Sequence, residues 1–257
     1  MTSWQTGTAL FFGYVAVVTL LPRGLHRRRR TQTLAGTALG AAVLVFSVLL
    51  PDDGFANRWL LPPSLLLLGY WTSGLLFVAP MPRLERALAG IDRALAIQTM
   101  AARCPRAVVE LLEFAYAGVY VMVPVALFIA TRSGVSANRF WTTILVTDYI
   151  CFAMLPWLQT RPPRAVEASV PWRSAWRRVN ERLLAASSVQ VNTFPSGHAA
   201  EGLALALLLL DAPAALVVCM FVNAAAISAG AVLGRYHYAA DALAGWLVAL
   251  LVWGITR

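Results

Sequence analysis

Two histidines lie at matching places in the second half of the sequence, each where a polar segment meets an apolar run. His198 ends the string 195–198, which reads Pro-Ser-Gly-His, and His237 precedes Asp241 by four residues. Residues four apart are neighbours on one helical face, where a carboxylate can accept the Nδ1 proton and leave Nε2 as an oriented, more basic nucleophile. His198 would lie in the first turn of a helix that starts after Ser196, beside any ligand held there. The pattern indicates group transfer that depends on His237, His198 and Asp241.

The residues before His198 predict an anion site at the start of a helix. Ser196 is a favourable N-cap residue, and Gly197 allows a ligand to approach the backbone closely. The first amides of a helix have no partner within the helix, so they attract anions and phosphate in particular. Arg161 and Arg235 can each offer paired donors to phosphate oxygens. Together these groups predict a phosphate-binding site beside the two histidines.

Two acidic residues within the apolar runs have several possible roles. Glu201 is one helical turn past His198, where it could tune the histidine or bind a lipid head group. It could equally pair with an arginine of the polar segment 159–194. Asp148 lies inside another apolar run and could face a polar cavity, and no role is predicted for it. A charged group within a membrane is costly, so each such residue is a functional candidate.

The composition shows which kind of element must position these residues. Of the 257 residues, 59% are apolar and 13% are charged, whereas soluble domains are about 45–50% apolar and about 25% charged. This excess of apolar sequence is too large for one soluble core and is typical of a protein with several membrane spans. The predicted fold class is therefore all-α, a bundle of about eight transmembrane helices.

The apolar runs give the bounds of the predicted spans. Spans of about 20 residues are predicted at 5–22, 33–50, 59–80, 107–130, 140–158, 196–211, 213–233 and 238–256. Residues 83–103 mix charged and apolar residues at helical spacing, which predicts an amphipathic helix on the membrane surface. Trp172 and Trp176 lie four residues apart in the long polar segment, and on one helical face they would form an interfacial anchor.

The arginines predict the orientation of the bundle. All 21 basic residues are arginine; sixteen lie in the segments 23–32, 81–106 and 159–194, four lie on the opposite side, and Arg235 lies within the candidate site and is not counted. The positive-inside rule places the arginine-rich segments in the cytoplasm and the N-terminus outside. The site is therefore predicted on the cytoplasmic face of the cell membrane.

The composition also argues against two other classes of protein. The net charge of +9 does not indicate nucleic-acid binding, because the arginines lie between apolar spans and form no basic soluble module. The cysteines, Cys104, Cys151 and Cys219, are scattered and predict neither a disulfide framework nor a metal cluster. No nucleic-acid partner is expected.

The histidine motifs resemble those of the PAP2 superfamily, the type 2 phosphatidic acid phosphatases. That family has a lysine seven residues before an Arg-Pro pair, then Pro-Ser-Gly-His, then Ser-Arg followed by a histidine and an aspartate four residues apart. Residues 195–198 match the second motif, His237 and Asp241 match the end of the third, and Arg161 with Pro162 matches the end of the first. The resemblance covers residues 155–256.

This resemblance implies a mechanism. In the family, the third-motif histidine attacks phosphorus to form a phosphohistidine, the second-motif histidine protonates the leaving oxygen, and the aspartate orients the nucleophile. Matched by motif, these residues are His237, His198 and Asp241. The resemblance also implies a phosphate site without a metal or other cofactor, formed by Arg161, Ser196 and Gly197.

The resemblance further implies a fold and a substrate class. Residues 59–257 are expected to form a PAP2-like catalytic domain with a six-helix core, and residues 1–58 to add two transmembrane helices. The expected activity is hydrolysis of a phosphate monoester or pyrophosphate on a lipid that is phosphatidic acid-like, phosphatidylglycerophosphate-like or polyprenyl. The expected partners are this lipid phosphate and the bilayer.

Two departures from the family pattern keep alternatives open. Met154 stands where the family has its first-motif lysine, and Gly230 and Ala231 stand where it has Ser-Arg. Arg235 or Arg164 can supply the missing charge. A reduced first motif is also seen in the branch resembling inositol phosphorylceramide and sphingomyelin synthases, which pass the phosphohistidine group to an alcohol. The alternatives are therefore a lipid phosphotransferase, or a phospholipid-binding or transport protein without catalysis.

Overall fold

The computed structural model describes residues 1–21, 24–167 and 172–257. Within these residues every element is helical, and the one extended feature is an isolated antiparallel bridge between Thr160 and Asn192. The all-α class predicted from the composition is confirmed.

The described residues form twelve α-helices. They are α1 (Ser3–Leu20), α2 (Arg27–Val48), α3 (Leu61–Gly74), α4 (Pro82–Ala94), α5 (Ile97–Arg103), α6 (Arg106–Arg132), α7 (Ala137–Ala153), α8 (Pro163–Val166), α9 (Ala175–Ser187), α10 (Gly197–Leu208), α11 (Ala214–Leu233) and α12 (Ala239–Thr256). A short π-helical segment, Ala56–Leu60, leads into α3. Serine hydroxyls cap the amino ends of α7, α9 and α10, as their sequence positions favour.

Four helices, α2, α6, α11 and α12, are long and apolar enough to cross a membrane. This finding supports the predicted membrane protein. Helix α10 is apolar but has only 12 residues, which is about 18 Å of helix. The count of eight spans stays a prediction. Parts of three predicted segments lie outside the described residues. They are the end of the first span at residue 22 and the parts of two loops at 23 and 168–171.

The short helix α10 lies at the centre of the bundle, where it packs against α6, α7, α11 and α12. All of its residues except His198 are buried. Its start touches α12 backbone to backbone: a side chain added at Gly245 would lie 2.5 Å from the carbonyl oxygen of Ser196. The amide of Ser196 also donates to the carbonyl oxygen of Asp241 at 2.9 Å. The two histidine motifs are thus joined through their backbones.

The two N-terminal helices share the main core. Helix α1 packs against α2, α3 and α7. The ring of Phe11 stacks on that of Tyr149, with 4.1 Å between centroids, and Gln5 donates to the hydroxyl of Ser47 in α2. The aromatic pair holds α1 against α7, and the buried amide contact holds it against α2. The division of the chain at residue 58 stays a prediction.

The polar helices α4, α5 and α9 cover the end of the bundle at which the histidine motifs lie. The predicted amphipathic segment forms two helices, because Ala96 adopts a left-handed conformation with φ of 53° between them. The prediction that Trp172 and Trp176 share a helical face is wrong. Helix α9 begins at Ala175, and Trp172 is buried before it, donating to the carbonyl oxygen of Ala101 at 2.8 Å.

Candidate functional site

A cavity of about 360 Å³ lies between α3, α6, α7 and α10. At the end covered by the polar helices it is lined by His198, His237 and Arg164. Farther into the bundle the lining is apolar and aromatic: Trp59, Pro63, Leu66, Leu67, Val123, Pro124, Trp141 and Phe152. A cavity with a polar end and an apolar body suits an amphiphilic ligand.

The two histidine rings face this cavity with 6.3 Å between their centroids. His198 is the second residue of α10 and stacks on Tyr116, with 4.8 Å between ring centroids. Its Nε2 lies 3.2 Å from the hydroxyl oxygen of Tyr120. The two rings are inclined at 45° to each other, and both line the same end of the cavity.

His237 lies just before α12, and Asp241 reaches back to it from the first turn of that helix. Nδ1 of His237 is 3.4 Å from Oδ2 of Asp241, and Nδ1 makes no hydrogen bond within the described residues. The same Oδ2 accepts from the amide of Tyr238 at 2.9 Å and from Nδ2 of Asn192 at 2.8 Å. The histidine and the carboxylate are brought together as predicted, although His237 itself is outside the helix.

Asn192 is a site residue that the sequence analysis missed. Besides Asp241, its side chain donates to the hydroxyl oxygen of Thr160 at 3.0 Å, and its amide donates to the carbonyl oxygen of Thr160 at 2.9 Å. One side chain therefore links the segments that hold all three motifs. A single asparagine in a polar segment carries no pattern in the sequence that would reveal this role.

The start of α10 has the geometry expected of an anion site. The hydroxyl of Ser196 is buried and accepts from the amide of Ala199, and Gly197 lines the cavity. The amides of Gly197 and His198 have no acceptor within the described part of the chain, as in the first turn of any helix. These two donors are available at the end of the cavity where the histidines lie.

The three candidate phosphate-binding arginines lie in different surroundings, and Arg164 is the one that lines the cavity. Its guanidinium carbon is 5.3 Å from the ring centroid of Tyr236, the residue before His237. Its amide donates to the carbonyl oxygen of Arg235 at 3.0 Å. This contact ties the short helix α8 to the segment before α12.

Arg161 pairs with a carboxylate of α4. Its Nε and Nη2 donate to the two carboxylate oxygens of Glu85 at 3.0 and 2.8 Å, and its amide donates to Oε1 of Glu85 at 2.8 Å. These hydrogen bonds hold the pKa of Glu85 below its usual value. The guanidinium of Arg161 is thus occupied by a bidentate ion pair.

Arg235 is almost fully buried and adopts a left-handed backbone conformation with φ of 62°. Its Nη1 donates to Oδ2 of Asp92 at 2.6 Å, and its other nitrogens donate to the carboxylate of Glu167. Burial raises the pKa of Asp92, while the amide of Ala239 and the guanidinium oppose that rise. Asp92 of α4 therefore holds both the segment before α12 and the first amide of α12.

We expect Arg235→Gln to destabilise the protein by about 3–5 kcal/mol, because it leaves buried carboxylates without their cation. The measurement is the unfolding of purified protein in detergent. Arg93→Gln, which removes an exposed arginine of α4, is the matched control and is expected to change stability by less than about 0.5 kcal/mol. Equal stabilities of the two variants, with activity lost in Arg235→Gln alone, would instead assign Arg235 to ligand binding.

A second buried network connects α9 to α6 and to the segment before α12. The carboxylate of Glu113 in α6 accepts from Arg177 at 3.0 Å, from Asn180 at 2.7 Å and from the hydroxyl of Tyr236 at 2.7 Å. The ring of Tyr236 stacks on that of Tyr116, with 4.3 Å between centroids. Since Tyr116 also stacks on His198, this network supports the segments of both histidines.

The sequence leaves the roles of two acidic residues undecided, and in the structure both of them line the cavity. Glu201 in α10 and Asp148 in α7 are both buried, and neither makes an ion pair within the described residues. Glu201 thus does not pair with a described arginine of the segment 159–194. Among the residues that the structure describes, no group of three or more histidine, cysteine or acidic side chains could hold a metal ion.

The comparison with protein families agrees with these motifs. The family model of the PAP2 superfamily matches residues 80–255, which includes α4 to α11 and nearly all of α12. The chain therefore belongs to the PAP2 superfamily, and this membership suggests a lipid enzyme of the phosphatase or phosphotransferase type. No curated protein and no solved structure matches the chain.

Proposed function

We propose that this protein hydrolyses a phosphate monoester or pyrophosphate of a membrane lipid through a phosphohistidine on His237. The observation that carries the proposal is the cavity, where two histidine rings lie 6.3 Å apart, centroid to centroid, at the polar end of a largely apolar space. The phosphate would lie between the rings, with Arg164 and the first amides of α10 as its donors. The lipid chains would occupy the apolar part of the cavity.

The first step transfers the phosphoryl group to the protein. Nε2 of His237 attacks phosphorus, so that a nitrogen–phosphorus bond forms as the ester bond to the lipid oxygen breaks. His198 gives its proton to the departing oxygen, which leaves as a neutral alcohol. The negative phosphate between the rings favours the protonated form of His198 before this step. The carboxylate of Asp241, with Oδ2 3.4 Å from Nδ1 of His237, stabilises the positive imidazole ring that forms.

The second step returns the protein to its starting state. His198, now neutral, takes a proton from a water molecule as that water attacks phosphorus. The nitrogen–phosphorus bond breaks, inorganic phosphate leaves, and His198 is again protonated. If an alcohol occupies the place of water, the phosphoryl group on His237 passes to it as a new phosphate monoester. If the first substrate is instead a phosphodiester, the group on His237 keeps its head group and the alcohol yields a new phosphodiester, which is the alternative function. Proton transfer of this kind contributes roughly 10²–10⁴-fold to the rate.

The test is an assay of purified protein with short-chain phosphatidic acid, with a chelator and without added metal. Release of inorganic phosphate supports the phosphatase. Transfer of the phosphoryl group to an added alcohol without phosphate release favours the phosphotransferase. Binding of lipid phosphates without transfer of phosphorus to any acceptor would indicate a lipid carrier and overturn the proposed chemistry.

We expect Arg164→Gln to lower kcat/KM for phosphate release by roughly 10²–10³-fold, the usual effect of removing one donor to a developing negative charge. Arg161→Gln is the matched comparison and is expected to cost less than about tenfold, because Glu85 occupies its guanidinium. Both rates are measured on protein that elutes as a single species. A larger loss of kcat/KM in Arg161→Gln than in Arg164→Gln would show that the phosphate binds near Arg161 and not near Arg164.

We propose that the site faces the cytoplasm, since the arginine-rich segments gather around it. Glu85 pairs with Arg161, which joins segments 81–106 and 159–194. Arg29 of segment 23–32 donates to the carbonyl oxygen of Phe77, shortly before segment 81–106, so the three segments lie at the same end of the bundle.

A cysteine introduced at the exposed residue Ala165, in a background without native cysteines, is expected to resist a membrane-impermeant thiol reagent in intact cells. Asp53→Cys, at the opposite end of the bundle, is expected to react. The reverse labelling pattern would place the site on the outer face.

A further inference from the structure

Two acidic side chains lie together in the cavity, just inside the histidines. Asp148 is 2% exposed and Glu201 is 8% exposed, and both line the cavity. A side-chain carbon added at Gly197 would lie 3.1 Å from Oδ1 of Asp148, so this carboxyl group lies against the first turn of α10. Glu201 is four residues after Gly197 and therefore on the same face of that helix. Both side chains therefore lie beside the first turns of α10 and line the same cavity.

These two residues differ from every other buried acidic residue in the described chain. Each of the others has a positively charged or protonatable partner, the pairs being Glu85–Arg161, Asp92–Arg235, Glu113–Arg177 and Asp241–His237. Asp148 and Glu201 have no such partner among the described residues, and Oδ2 of Asp148 has no hydrogen-bond partner there. A buried carboxylic acid without a cation avoids the cost of a buried charge by keeping its proton. An ammonium group placed beside it supplies the missing cation, so that the acid can ionise and hold this group as an ion pair.

The position of the pair shows which part of a ligand it meets. Helix α10 runs from the polar end of the cavity into the bundle, and Glu201 is about 4.5 Å farther along it than His198. The apolar lining lies beyond the pair. The departing alcohol would leave on the side of His198, opposite the nucleophile His237. A group on the lipid alcohol, a few bonds from the phosphate, would therefore lie against the two carboxyl groups.

We propose that Asp148 and Glu201 bind an ammonium group on the lipid alcohol, so that the preferred substrate is the phosphate of a long-chain amino alcohol. This inference deepens the proposed function and rests on it for the place of the phosphate. Arg164 and the amides of α10 meet the negative end of such a substrate, and the carboxyl groups meet the positive end. The cavity also presents the rings of Tyr70 and Tyr120, whose faces attract cations.

The kinetic test compares two substrates of equal chain length, a long-chain 2-amino alcohol phosphate and its 2-hydroxy counterpart. For the unaltered protein, kcat/KM is expected to be at least about tenfold higher with the amine, as for hydrogen bonds to a charged group. In Glu201→Gln and in Asp148→Asn the ratio of kcat/KM for the amine to kcat/KM for the hydroxy compound is expected to fall toward one. Asp211→Asn, which removes an exposed carboxylate near the other end of α10, is expected to keep it. A ratio near one in the unaltered protein, or an unchanged ratio in both variants, overturns the proposal.

A binding test separates this inference from the proposed chemistry. The thermal unfolding of purified protein is measured with dodecylamine and with dodecanol. The amine is expected to raise the midpoint more than the alcohol, and Glu201→Gln is expected to abolish the difference. If that result is obtained while no substrate releases phosphate, the ammonium site stands and the phosphatase fails. If phosphate is released but the amine gives no added stabilisation, the ammonium site fails and the phosphatase stands.

Discussion

His237→Gln is expected to lower kcat/KM for phosphate release by on the order of 10⁴–10⁶-fold, as does removal of the nucleophile in other enzymes with a covalent intermediate. Glutamine keeps a polar side chain of similar reach but cannot form the nitrogen–phosphorus bond. The measurement is steady-state phosphate release from a short-chain lipid phosphate. In parallel, substrate with labelled phosphorus is mixed with the protein and quenched, and an acid-labile label is expected on the unaltered protein and absent from the variant.

Asp241→Asn is the matched comparison for His237→Gln. The asparagine keeps an oxygen for the amide of Tyr238 but loses the charge beside Nδ1 of His237. We expect a smaller loss, on the order of 10²–10⁴-fold, with labelled protein still formed slowly. Full activity in His237→Gln would show that another group receives the phosphoryl group, and the mechanism proposed here would be wrong.

His198→Asn is expected to lower kcat/KM by roughly 10²–10⁴-fold with an alkyl phosphate. The alkyl oxygen needs a proton to leave, and asparagine cannot give one. With p-nitrophenyl phosphate the leaving oxygen needs no proton, so the first step is expected to survive. Because His198 also activates water in the second step, the variant should release one p-nitrophenol per protein rapidly and then turn over slowly.

Rapid-mixing absorbance measurements detect this burst, and Tyr120→Phe provides the control. That variant keeps the ring beside His198 and removes the hydroxyl that lies 3.2 Å from Nε2, so a loss of less than about tenfold is expected from one neutral hydrogen bond. Equal losses of His198→Asn on both substrates, without a burst, would exclude His198 as the acid of the first step.

The features that the sequence predicted well depend on neighbours along the chain. The start of α10 at Gly197 follows from the capping serine before it, and this places His198 in the first turn. The approach of His237 to Asp241 follows from the start of α12, whose first turn directs the carboxylate of Asp241 back toward the residues just before the helix. The all-helical class follows from long apolar runs. In each case the physical cause acts over a few residues, so one sequence is enough to reveal it.

The features that the sequence did not predict depend on contacts between distant parts of the chain. Arg235 and Asp92 are 143 residues apart, yet their ion pair is buried. The sequence gives no means of choosing among the twelve acidic residues as partners for one arginine. The same is true of Arg161 with Glu85, and of Asn192 with Asp241. Which arginine faces the cavity is therefore decided by tertiary packing.

The contact between the backbones of α10 and α12 sets how closely the two histidines approach. Gly245 leaves no side chain between these helices, and the amide of Ser196 bonds directly to the carbonyl of Asp241. The exposed surface of α12, including Leu243, Leu247 and Leu251, takes no part in that contact. Mutations on that surface can adapt the helix to bilayers of different thickness while the alignment of nucleophile and acid is inherited unchanged. Membrane adaptation and catalysis can thus evolve separately in this protein.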